Sequence, residues 1–88
     1  MALLSIKLGE FKRLVENSQS LKVVSQQQAS GGYAVLAIDT AQDRAYSVRH
    51  ARKSDPRTWR LDRLASLLEE IGVSHYEVRL YPKHRSKQ

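Results

Sequence analysis

Basic side chains are the residues of this 88-residue sequence whose number and spacing point to a particular chemistry. Lysine and arginine number 15 against 9 aspartates and glutamates, which gives a net charge of +6. The excess lies in two segments: residues 44–63 carry +5 and residues 79–88 carry +4, whereas residues 1–43 are neutral and residues 64–78 carry −3. A surface that serves solubility alone does not require such segregation, which is typical of proteins that bind polyanions.

Phosphate groups are natural ligands for these residues, because guanidinium and ammonium groups form charge-assisted hydrogen bonds with phosphate oxygens. Arg57, Arg60 and Arg63 recur every three residues and would fan over one surface of a helix. Arg49 and Lys53 would share one face of a strand. The predicted nucleic-acid-binding residues are Arg44, Arg49, Arg52, Lys53, Arg57, Arg60, Arg63, Arg79, Lys83, Arg85 and Lys87.

The charge order of the second predicted helix is the reverse of what helix stability favours. Arginines stand at its start and Glu69 and Glu70 near its end, and both sets oppose the helix macrodipole. A bound phosphate would be attracted by the arginines and by the free N–H groups of the first turn. In the alternative interpretation, the arginines only extend into solvent from the surface and pair with Asp55, Asp62 or Glu16.

Trp59 lies between two of these arginines and could stack on a base or cover the core. A lone tryptophan beside an amphipathic stripe is more often a core residue, so we expect it to pack inside. The four tyrosines form no base-stacking pattern, which favours duplex over single-strand recognition.

Catalytic chemistry finds little support in the sequence. There is no cysteine, the three histidines lack metal-ligand spacing, and Gly31-Gly32 stands alone without a phosphate-loop pattern. We therefore predict a non-enzymatic protein without cofactor or metal. The remaining enzymatic alternative is a small nuclease in which His50 and His75 meet across a sheet.

Hydrophobic periodicity predicts the elements that must position the basic residues. Phe11, Leu14 and Val15 have helical spacing. The later runs are typical of strands: residues 21–28 have a β-branched centre, residues 33–39 are mostly apolar, and residues 45–53 alternate. The glycine-containing segment 29–32 predicts a hairpin turn. The predicted elements of this half are a strand or arm at 1–8, a helix at 10–17, and strands at 21–28, 33–39 and 45–53.

A stripe of leucines at helical spacing from Leu61 predicts the second helix, and Gly72 is expected to end it. The Asp-Pro pair at 55–56 suits its first turn. Alternatively, residues 58–61 form a short strand and Asp62 caps a helix that follows.

The last predicted strand covers residues 74–81, with Tyr76, Val78 and Leu80 facing the core. The order α-β-β-β-α-β predicts an α+β fold: a small antiparallel sheet of about four strands with two helices packed on one face. Residues 1–82 would form a single domain, and residues 83–88 a basic disordered tail. The helix, three-strand, helix order is similar to the layout of double-stranded-RNA-binding domains, although spaced arginines replace their lysine cluster and a further strand follows.

Expectations about location and assembly follow from composition. No apolar stretch approaches the roughly 20 residues that span a bilayer, so we expect no membrane association. The absence of cysteine makes the cytoplasm the simplest location. Leu3, Leu4, Ile6 and Leu8 would form an exposed patch if they do not pack on their own sheet, which predicts a homodimer.

These features predict a non-enzymatic protein that binds duplex DNA, as a small regulatory or accessory factor, for instance in transcription regulation. Two alternatives stay open. One is a protein-interaction module or inhibitor whose basic face docks on an acidic partner, and the other is an RNA-binding domain.

Overall fold

The computed structural model describes residues 2–18, 20–50 and 55–82. The elements in these ranges are β1 (Ala2–Ile6), α1 (Leu8–Asn17), β2 (Leu21–Gln27), β3 (Tyr33–Asp39), β4 (Arg44–Val48), α2 (Leu61–Glu70) and β5 (Glu77–Arg79). The predicted α+β fold is confirmed. The first segment, which was predicted as either a strand or an arm, forms strand β1. The first helix begins at Leu8, two residues before its predicted start.

The strands form one sheet in the order β1-β4-β3-β2-β5. β3 is antiparallel to β4 and to β2, whereas β1 is parallel to β4 and β5 is parallel to β2. The sheet is therefore mixed and has five strands in the described ranges, where about four antiparallel strands were predicted. Each outer strand is joined to the rest of the sheet through a helix, and helical crossovers give parallel pairing.

Both helices cover the same face of the sheet. Phe11 of α1 and Leu64 and Leu68 of α2 are fully buried in one cluster with Val35 and Val48. The predicted packing of two helices on one face is confirmed. None of the helices in the described ranges is long and apolar enough to cross a membrane.

The segment between β4 and α2 differs from its prediction. β4 ends at Val48 instead of residue 53, and α2 begins at Leu61 instead of at the Asp-Pro pair. Residues 56–59 are extended, and Trp59 exchanges two backbone hydrogen bonds with Tyr33, at 2.8 and 2.9 Å. The start of β3 offers unpaired backbone groups at this point, and pairing with them satisfies the segment without a further helical turn.

The alternative with a short strand before the helix comes closer to the structure. The N-cap residue is Arg60, however, and Asp62 lies within the first turn of α2. The predicted end of α2 is confirmed: Gly72 has φ +95°, its N–H bonds to the Glu69 carbonyl at 3.1 Å, and the Val73 N–H bonds to the Leu68 carbonyl at 2.9 Å.

β5 is shorter than predicted and lies at one edge of the sheet. Tyr76 packs against the core as expected, but Val78 is 42% exposed and Leu80 is 67% exposed. Val78 pairs with Ser25 on the same face as Tyr76, as predicted, but the expected burial of Val78 and Leu80 is wrong, because an edge strand that pairs over three residues extends beyond the cover of the helices.

Candidate nucleic-acid interface

The strand directions give the sheet two different ends. β1, β2, β4 and β5 run in one direction, so their carboxyl ends lie together. Both helices begin at this end, because each follows one of these strands in the chain. The described basic residues that follow β4 or end β5 therefore lie on the same side, whereas Arg52, Lys53 and residues 83–88 lie outside the described ranges.

Charge is divided between the two ends. Among the described residues, the end with the helix starts carries Lys7, Arg49, Arg57, Arg60, Arg63 and Arg79 against Glu10, Asp55, Asp62 and Glu77, the last of which pairs with Arg79. The other end carries Glu16, Asp39, Asp43, Glu69 and Glu70 against Lys22 and Arg44. We name these the basic end and the acidic end. The helix macrodipoles add positive potential at the basic end and negative potential at the acidic end.

Arg57 and Trp59 are in direct contact at the basic end. The Arg57 guanidinium lies 4.9 Å from the centroid of the Trp59 ring, within cation–π range. The Arg57 N–H also donates to the Val48 carbonyl at 2.8 Å. Trp59 is half-buried and packs against the core, which confirms its interpretation as a core residue. The core thus fixes the position of the Arg57 side chain.

Arg60 and Arg63 are exposed and flank the first residues of α2. Arg60 pairs with Asp62 at 3.3 Å, but both side chains are largely exposed, and such pairs contribute little and exchange readily for other ions. The predicted helical fan of three arginines is wrong, since Arg57 precedes the helix in an extended segment. The three residues still lie along one short segment at the basic end.

Arg49 directly follows β4 and is half-buried. Its N–H donates to the Ile6 carbonyl at 2.9 Å, and it forms a β-bridge with Pro56. β4 ends before Arg49, and Lys53, which was predicted to share its strand face, lies outside the described residues. Five of the predicted binding residues lie outside the described residues, namely Arg52, Lys53, Lys83, Arg85 and Lys87.

Arg44 does not join the predicted site. It begins β4, opposite Asp39 in the register, and lies about 17 Å from Arg49 at about 3.3 Å per strand residue. Arg44 therefore belongs to the acidic end. The prediction placed it with the others because it is close to them in sequence, whereas a strand carries its two ends apart.

Arg79 lies at the basic end, but its side chain forms an ion pair with Glu77. Its Nε donates to the Glu77 carboxylate, which also forms an ion pair with Lys22, with 2.9 Å between Lys22 Nζ and Glu77 Oε1. The hydrogen bond from Arg79, and after it the one from Lys22, lower the pKa of the Glu77 carboxyl below its ordinary value. Part of the Arg79 charge is thus compensated within the protein.

The β2–β3 turn is a part of the basic end that the sequence did not suggest. A Cβ at Gly32 would lie 3.0 Å from the Thr58 Cβ, so this turn packs directly on the segment that carries the arginines. Gln27 of β2 accepts a hydrogen bond from the Tyr81 N–H at 2.9 Å through its Oε1. The glycine pair Gly31-Gly32 was the feature of the sequence that could have indicated this close packing, but it predicted only a turn.

The two described histidines lie at opposite ends of the sheet. His50 follows β4 at the basic end and His75 precedes β5 at the acidic end, so the nuclease alternative lacks its pair. Within the ranges that the structure describes, no group of three or more histidine, cysteine or acidic residues could hold a metal ion. A cleft of about 810 Å³ does lie at the acidic end, beside His75, and the Lys22–Glu77 ion pair borders it.

Comparison of the chain with protein-family models, with curated protein sequences and with solved structures gave no match.

Proposed function

We propose that this protein binds duplex DNA through its basic end and catalyses no reaction. The observation that supports the proposal is the clustering of Arg49, Arg57, Arg60 and Arg63 with Arg79, which is distant from them in sequence, at the end of the sheet where both helices begin. Phosphates are attracted to helix N-termini and to clustered arginines for the same electrostatic reason. The role we propose is that of a regulatory or accessory factor.

The size of the basic end suits a duplex. Five strands at about 4.8 Å spacing span about 19 Å, which corresponds to about six nucleotides of one DNA strand at 3.4 Å each. The described basic residues are thus spread over a width that allows contacts with several phosphates. Arg57 and Arg63 are held by the core and by α2, so they would set the orientation of the protein on the duplex.

The experiment is a titration of fluorescent duplex DNA with the protein at several salt concentrations, followed by anisotropy. About six phosphate contacts give a slope of log K against log salt near −5. A duplex RNA of the same sequence is the matched probe, and tighter binding to it would identify RNA, and not DNA, as the ligand. A slope near zero, or no binding at low salt, contradicts the proposal and favours an acidic protein partner.

A further inference from the structure

Among the described residues, no strand pairs with the outer side of β1, which leaves this edge open to pairing with another chain. Its residues, Ala2–Ile6, include no charge, proline or glycine, and Leu3 and Leu4 are 66% and 41% exposed. Edge strands are usually protected by charges, proline or short length. The opposite edge, β5, has that protection, since it pairs over three residues that include Glu77 and Arg79.

The hydrogen bonds of β1 show which of its backbone groups face outward. The Ala2 N–H donates to the Asp43 carbonyl at 3.2 Å, and the Ile6 carbonyl accepts from the Arg49 N–H at 2.9 Å. Backbone groups alternate in direction along a strand, so Ala2, Leu4 and Ile6 bond toward β4. The N–H and carbonyl groups of Leu3 and Ser5 therefore point to the free side.

We propose that a second copy of this chain pairs with β1 in antiparallel orientation, with a two-fold axis at Leu4. In this register Leu3 of each copy lies opposite Ser5 of the other, and each such pair exchanges two backbone hydrogen bonds. Leu4 lies opposite Leu4 of the second copy as a non-hydrogen-bonded pair, the closer of the two pair types. The same residues serve on both sides, as a closed dimer requires.

The side chains of β1 suit this arrangement on both faces. On the helix-bearing face Leu4 lies beside Tyr46, and a cleft of about 360 Å³ adjoins them, bordered by Ile6, Leu14 and Tyr46 together with polar residues of α1. Leu4 of the second copy would cover this apolar surface. On the other face, Leu3 lies diagonal to Leu3 of the second copy, within reach of a long side chain.

The charges of the two ends favour the antiparallel orientation. The strands of the second copy run in the opposite direction, so the basic end of each copy lies beside the acidic end of the other. Parallel pairing would instead place the two basic ends together. The resulting dimer presents its two basic ends on opposite sides of a continuous sheet. The inference does not depend on what the basic end binds.

The test compares two substitutions of equally exposed leucines by sedimentation velocity over micromolar to millimolar concentrations. Leu3→Lys places like charges across the proposed axis, whereas Leu80→Lys adds the same charge at the opposite edge, where the side chain is 67% exposed. We expect the parent and L80K to dimerise with concentration and L3K to remain a monomer. Circular dichroism confirms that each variant is folded.

Two further variants test the register and the symmetry. Ser5→Pro removes an outward N–H, which an edge strand tolerates, and should abolish the dimer without unfolding the monomer. Mixing L3K with Leu3→Glu should restore association, because position 3 of one copy lies near position 3 of the other. A parent that stays monomeric over the whole range, an L3K variant that dimerises like the parent, or loss of the dimer in L80K would each overturn the proposal.

Discussion

The basic end and the acidic end are built from the same strands and helices, yet they differ in charge and in backbone structure. At the acidic end the chain turns tightly: the Asp39 carboxylate accepts the N–H groups of Ala41 and Gln42 at 3.1 and 3.2 Å, and Gly72 ends α2. At the basic end, β4 and α2 are separated by residues 49–60, and two isolated β-bridges, Arg49–Pro56 and Tyr33–Trp59, hold the described part of this segment. Asp39 at one end thus has a structural role, whereas most of the described basic residues at the other end are exposed.

The comparison also separates helix stability from surface charge. The helix macrodipole is opposed by Arg60 and Arg63 at the start of α2 and by Glu69 and Glu70 at its end. Only Asp62, an acidic residue in the first turn, interacts favourably with it. Opposed charges of this kind cost about 0.3 to 1 kcal/mol each. The charge arrangement is therefore not explained by the stability of α2, and a negatively charged ligand at the basic end would reverse the penalty there.

The largest effect is expected from replacing Arg57, Arg60 and Arg63 together by alanine. If each arginine contributes about 1 kcal/mol, affinity for duplex DNA should fall about 100-fold at low salt. The salt slope should become shallower by up to about three units. Loss of the contact with Trp59 costs about 0.5 to 1 kcal/mol of stability, so the variant should remain folded by circular dichroism.

The matched control removes the same charge away from the basic end, by replacing Arg13, Lys22 and Arg44 with alanine. Its affinity should stay within a few-fold of the parent, because distant exposed charges are screened. If the two triple variants lose equal affinity, net charge and not the basic end determines binding. If the first triple variant binds like the parent while folded, the basic end is not the contact surface.

An intermediate effect is expected from deleting residues 83–88, which follow β5 and carry Lys83, Arg85 and Lys87. The salt slope should become shallower by up to about three units, because each lost phosphate contact changes it by about one. Any preference among DNA sequences should persist, since preference depends on contacts held in fixed orientation. Competition binding with several duplexes measures both quantities, and a loss of preference on deletion would assign the orienting role to these residues.

The smallest effect is expected from Glu77→Gln, which releases Arg79 at the basic end. Affinity for duplex DNA should rise about twofold, in the range of a single exposed ion pair. Glu70→Gln makes the same charge change at the acidic end and should leave affinity unchanged.

The same variant has a pH signature. Because the folded-state pKa of Glu77 is lowered from its ordinary value of 4.5, its carboxylate stabilises the fold above that pH, and the contribution is lost as the pH falls through the lowered pKa. Glu77→Gln should therefore flatten the decline of thermal stability below about pH 4.5. An unchanged acid profile, measured by thermal unfolding, would show that this ion pair does not contribute.

Part of this structure was determined by local sequence. Helical spacing of Phe11, Leu14 and Val15 predicted α1, and the leucine stripe and Gly72 predicted the body and end of α2. The most apolar run of the sequence predicted β3 with its bounds of 33–39. These features depend on residues within a few positions of each other, where periodicity and turn chemistry act directly. The segregation of charge was likewise evident from the sequence alone.

Pairing between distant segments decided the rest. The start of α2 moved to Leu61 because Trp59 pairs with the backbone of Tyr33, which no local pattern indicates. Arg44 lies outside the predicted site, and Arg79 lies at the same end of the sheet as Arg57, because strand direction determines which end of the sheet each residue occupies. Direction and register depend on long-range hydrogen bonds, so the sequence determined which residues are basic, and the sheet determined where they meet.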